Sequence, residues 1–99
     1  MRIEYKHNLS KEEAHKRISN LLTNLQREHA DKIRNPQIKW DSTNTHMEYS
    51  IELMQNHLTG TVYLQEYLVM LEGTVPAKYA FFSSMIKNMI RKELAKSLS

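Results

Sequence analysis

Cysteine is absent from the 99 residues, which excludes disulfides, thiolate zinc sites and thiol catalysis. Stability must come from packing, an arrangement compatible with a reducing compartment. Glycine and proline occur only twice each, so regular elements should fill most of the chain. No apolar run approaches the roughly 18 residues of a membrane span. The opening MRIEYKHNLS alternates in polarity and lacks the apolar centre of a signal peptide. A cytoplasmic protein is the expectation. An excess of one charge is also missing, since 14 Lys and Arg stand against 11 Asp and Glu, a net +3. The signs mix along the chain instead of gathering into the basic patch of a dedicated nucleic-acid binder.

What is present reads as one globular domain over residues 1–99, with 40% apolar and 25% charged residues. Met1, Ile3, Tyr5 and His7 alternate with polar neighbours, the mark of a half-buried strand. Ser10 followed by Glu13 is a capping box that starts a helix. The periodicity predicts that this helix runs from about Lys11 to Ile33. Its stripe of Ala14, Ile18, Leu21, Leu22, Leu25, His29 and Ile33 spans an arc of about 120°. Asn35-Pro36 is expected to end it.

Four alternating runs follow, centred on Ile38 and Trp40, Met47 to Leu53, Leu58 to Leu64, and Val69 to Val75. Turns are expected at Asp41 to Asn44, at Gln55 to His57 and near Gln65 to Tyr67. Pro76 should open a last helix over Ala77 to Leu98. Short connections make the strands antiparallel neighbours, and one-sided alternation asks for cover on a single face. The expected fold is α+β, in the order strand, helix, four strands, helix. The antiparallel sheet of four to five strands should follow the order 1-5-4-3-2 or a close variant, with both helices packed on one face.

Catalytic patterns are scarce. The five histidines show no metal-ligand spacing; His15 and His29 stand about 21 Å apart along a helix of 1.5 Å rise. His29 falls in the apolar stripe and reads as a residue that meets the helix end or a backbone carbonyl. Glu48 and Glu52 share an open strand face, where nothing would raise a carboxyl pKa or exclude water. Ser83 and Ser84 lack a base, and Gly60 and Gly73 stand alone inside strands, so no phosphate loop exists. No catalytic residue, metal site or cofactor is expected, and the protein reads as a non-enzyme.

The last helix carries more apolar surface than one contact needs. Phe81 to Ile90 alone spread over about 180°, bordered by Lys87, Arg91, Lys92 and Lys96. Phe81, Phe82, Met85 and Met89 are therefore the candidates for a partner-binding or apolar-surface-binding face, with a homodimer as one possible use. In an alternative reading the helix grips a curved sheet, and Trp40, Tyr49, Phe82 and Met85 line a cavity for a small hydrophobic ligand. A third reading, a ribosome- or RNA-associated factor, requires Lys11, Lys16, Arg17, Arg27 and Lys32, or the basic residues of the last helix, to form one patch. Nucleic acid is not the expected partner.

Several stretches together resemble the bacterial family of polyhydroxyalkanoic acid system proteins. They are MRIEYKHNLSKEEAHKRISNL, the lone Trp40, the Gly60 strand, LEGTVP at Leu71 to Pro76, and the closing FFSSMIKNMIRKELAKSLS. The polar segment around Asp41 to His46 is longer than the family pattern. The resemblance implies an accessory role in or near polyhydroxyalkanoate granule metabolism, with a granule surface or granule-associated protein as partner. It carries over no catalytic residue.

Overall fold

The structure is a computed structural model, and it describes residues 1–74, 77, 80 and 83–99. Strand β1 spans Arg2–Lys6; helices α1 and α2 span Lys11–Ser19 and Leu21–Glu28. Strands β2, β3, β4 and β5 follow at Ile33–Trp40, His46–Leu53, Asn56–Gln65 and Leu68–Gly73, and helix α3 closes the chain at Ser83–Leu98. The five strands form one antiparallel sheet in the order β1-β5-β4-β3-β2. The fold is α+β with the strand order that the short connections imply.

The first helix starts where its cap places it. Ser10 is extended, and its Oγ accepts from the Glu13 amide at 3.2 Å. The other half of the capping box does not form, because Glu13 Oε1 accepts from Arg17 Nε one turn on, at 3.0 Å.

The expectation of one helix from Lys11 to Ile33 is corrected at both its middle and its end. Ser19 Oγ donates back to the His15 carbonyl at 2.7 Å, and Asn20 Nδ2 donates to Lys16 O at 3.3 Å. Such side chains compete for helical carbonyls, and α1 gives way to α2 at Asn20. The second helix ends at Glu28, with His29 at its C-cap (φ −127°). The His29 carbonyl then accepts from the amides of both Lys32 and Ile33, and Ile33 opens β2.

Asn35-Pro36 consequently does not end a helix. These residues sit inside β2, between the pairs Arg34–Glu52 and Gln37–Ser50, where two residues oppose the single Ile51. Asn35 adopts φ 52° in this bulge. The extra residue restores parity, so Ile33, Ile38 and Trp40 share one face of the sheet. Proline is admissible here because β2 is an edge strand. The β3–β4 turn also differs from expectation. It is the two residues Met54 and Gln55, both at positive φ (49° and 71°), and Asn56 already belongs to β4.

Register places Ile3, Leu71, Val62, Met47 and Trp40 in one row across the sheet, with Leu64 and Val69 beside it. These residues cluster with Ala14, Ile18, Leu21, Leu22 and Leu25 of α1 and α2 and with Ile86, Leu94 and Leu98 of α3. Fully burying one such Leu or Ile is worth about 1.5–3 kcal/mol. The opposite sheet face bears Arg2, Glu72, Thr61, Glu48 and Lys39 in a single cross-strand row. The expected opening of the last helix at Pro76, with Phe81 and Phe82, lies outside the described residues.

Candidate functional site

Helix α3 turns its buried side toward the core through Ile86, Leu94 and Leu98. Met89 and Ile90 are half-buried against that core. At about 100° per residue, Met85, Met89, Lys92 and Lys96 fall within a stripe of about 60° on a different side of the helix. Met85 is 56% exposed, the most exposed methionine among the described residues, and Lys92 and Lys96 are also exposed. Two adaptable thioether side chains thus run into two ammonium groups along one line.

Beside this stripe lies a buried carboxyl. Glu93 is 3% exposed, on the side of α3 that meets α2. Lys96 Nζ stands 3.6 Å from Glu93 Oε2 and bonds Glu28 Oε1 on α2. Burial, and then the neighbouring Glu28 carboxyl, raise the Glu93 pKa above its ordinary value. The Lys96 bond, and then Glu93, lower that of Glu28. The Glu28 bond holds the Lys96 ammonium above its ordinary value. The position of Glu93 is visible in the periodicity, since it continues the series Ile86, Met89, Ile90 at helical spacing.

The residues considered for a ligand cavity go different ways. Tyr49 is buried on the inner face, and burial pushes its phenol up to about 12. Trp40 turns to α1, where its Nε1 donates to Ser19 Oγ at 2.9 Å and its ring packs on His15 with centroids 4.3 Å apart. Met85 faces outward, and Phe82 is outside the described residues. An apolar cavity between helices and sheet, lined by Leu22, Leu25, Tyr49, Ile51, Ile86 and Met89 among others, has a volume of about 40 Å³. Small-ligand sites are typically several hundred Å³, larger than this space.

The polar candidates are dispersed. Glu48 and Glu52 lie along the outer face of β3, Glu48 exposed and Glu52 half-buried. His7 is 5% exposed; its Nδ1 accepts from the Leu9 amide at 3.2 Å and its Nε2 has no partner. His46 packs on Tyr63 on the outer face, with ring centroids 4.9 Å apart. Among the described residues no three His, Asp or Glu side chains gather as metal ligands. No described helix is long and apolar enough to cross a membrane.

No curated protein and no solved structure matches the chain. A family model does, under the description "Putative polyhydroxyalkanoic acid system protein", and it aligns with residues 1–98. The match takes in the capped helix, every strand of the sheet and the methionine stripe of α3, so the chain belongs to the family of polyhydroxyalkanoic acid system proteins.

Proposed function

We propose that this is a non-enzymatic accessory protein of polyhydroxyalkanoate storage, which docks on the polymer surface through the Met85–Met89 stripe of α3. The supporting observation is Met85, 56% exposed on a helix whose neighbouring side is fully used by the core. A polyester surface offers alkyl groups and ester carbonyls together. Methionine adapts to irregular apolar contact. The stem of Lys92 can lie on such a surface while its ammonium group reaches carbonyl oxygens or water. The wide apolar arc of the last helix expected from sequence includes Phe81 and Phe82, which would extend the same contact.

The test uses purified protein and amorphous polyhydroxybutyrate particles in a sedimentation assay. Met85→Glu should weaken binding at least tenfold while changing stability by no more than about 0.5 kcal/mol, as for a surface substitution. Particle binding equal to wild type in Met85→Glu would reject the docking surface. A wild-type dimer that becomes monomeric in Met85→Glu, without particle binding in either, would reassign the stripe to self-association.

A further inference from the structure

We infer that Glu93, Glu28 and Lys96 form a proton-held latch that docks α3 against α2. The argument begins with solvation. A carboxyl only 3% exposed loses most of its hydration, and an isolated charge there is costly. The only described cation within salt-bridge distance of it is Lys96, at 3.6 Å, and Lys96 is already bonded to Glu28. One ammonium cannot neutralise two carboxylates. With one proton retained on the pair the seam is neutral; without it the seam carries a net negative charge where α3 must close.

None of the other described ionisable groups around this seam forms an ion pair with Glu93. His29 caps α2 beyond Glu28, and its field acts on Glu28. From α1, Arg17 donates to the Ser97 carbonyl of α3 at 3.3 Å and pairs with Glu13. From β1 the inward titratable group is Tyr5, and buried His7 lies just beyond the strand. On α3 itself Lys92 is exposed. Arg17 therefore anchors the end of α3 independently of pH, whereas the Glu93 turn depends on its proton.

The direction follows from linkage. Glu93 has its folded-state pKa raised, so its contribution is complete below the unfolded value and is lost as pH rises through the folded one. Glu28 has its folded-state pKa lowered, so its contribution is present above the unfolded value and is lost as pH falls through the folded one. Docking of α3 is thus strongest between the two, where the pair holds a single proton. Above that window α3 loosens at its C-terminal half, around Leu94 and Leu98, which are buried. The latch works in the free protein, so it stands or falls separately from the polymer-docking role.

The direct test is a carbon-detected NMR titration of the Glu side-chain carboxyls in the wild-type protein. Glu93 should titrate above the ordinary glutamate value and Glu28 below it. A Glu93 midpoint at or below the ordinary value would overturn the latch. Amide exchange of Leu94 and Leu98, corrected for its intrinsic pH dependence, should accelerate up to about tenfold per pH unit above the Glu93 midpoint. In Glu93→Gln, which keeps the shape without the charge, that acceleration should vanish. An identical pH profile in wild type and Glu93→Gln would equally reject the proposal. Lys96→Met should move the Glu93 midpoint further upward, and an unchanged or lower midpoint would remove Lys96 from the latch.

Discussion

The phenol of Tyr49 lies over Gly60 on the adjacent strand, and its hydroxyl donates to the carbonyl of Glu72 one strand further on, at 3.2 Å. A Cβ on Gly60 would stand 2.2 Å from Tyr49 Oη and 2.2 Å from Glu72 O; one on Gly73 would stand 2.5 Å from the same Oη. Tyr49, Gly60 and Gly73 are register partners in one row across β3, β4 and β5. The two glycines form the floor of a slot in which the aromatic ring replaces the missing side chains.

The slot predicts an asymmetric rescue. Gly60→Ala and Gly73→Ala should each destabilise the protein by about 1–3 kcal/mol through overpacking. Tyr49→Phe removes the Oη that obstructs Gly73, so the penalty of Gly73→Ala should fall by at least half in that background. The penalty of Gly60→Ala should persist, because the Glu72 backbone carbonyl still stands in the way. Urea unfolding of the three single and two double variants decides between these outcomes; equal rescue at both glycines would contradict the geometry.

Tyr49 also sets an alkaline limit. Its phenol pKa is about 12 in the folded protein against 10.0 for the ordinary group, and burial is the cause. A raised folded-state pKa means the contribution is complete below pH 10 and is lost as pH climbs from about 10 to 12. Two pKa units correspond to roughly 2–3 kcal/mol. Tyr49→Phe should flatten the stability profile across that interval, measured by thermal melts at successive pH values. An unchanged profile would place the Tyr49 phenol in water.

Trp40 and Ser19 join the edge strand to the break between α1 and α2. Trp40→Phe leaves the ring contact with His15 but removes the donor to Ser19. A double-mutant cycle with Ser19→Ala should return a coupling of about 0.5–1.5 kcal/mol. Additive single effects would mean that the indole bond contributes nothing in solution.

The β3–β4 turn is a place where the natural residues are conformationally poor. Met54 and Gln55 both lie in the left-handed region, which L side chains enter at a cost. Gln55→Gly should therefore raise stability by about 0.5–1 kcal/mol. The same change at Gln65, inside β4 with no positive φ, should lower it. If both lower it, the turn is not under strain.

The strands were legible because alternation is a strong local signal, and Met47 to Leu53 and Leu58 to Leu64 occupy the faces it assigns. Helix α1 was legible from Ser10 and Glu13. The failures share a physical cause, competition between local preference and tertiary contact. Leu25, His29 and Ile33 continue a helical stripe, yet pairing with Leu53 draws Ile33 into the sheet. Asn35-Pro36 is a stop signal in isolation and a bulge when a partner strand is present. The slot around Gly60 needs three strands in register before it exists, so no local pattern can announce it. Met85 was visible on the helical wheel. The charge state of Glu93 was not, because it depends on Glu28, which lies far away in sequence and adjacent in space.

The bulge in β2 has a meaning for a protein that would crowd at a surface. An open sheet edge is a template on which identical chains can stack into fibres. Along β2, an incoming strand meets a left-handed kink at Asn35 and then Pro36, which has no amide hydrogen to offer. Regular pairing could not propagate through this point. Arg34 and Lys39, exposed on either side, would repel an identical edge arriving in parallel register. Many copies could thus assemble densely side by side without adding a strand at the β2 edge.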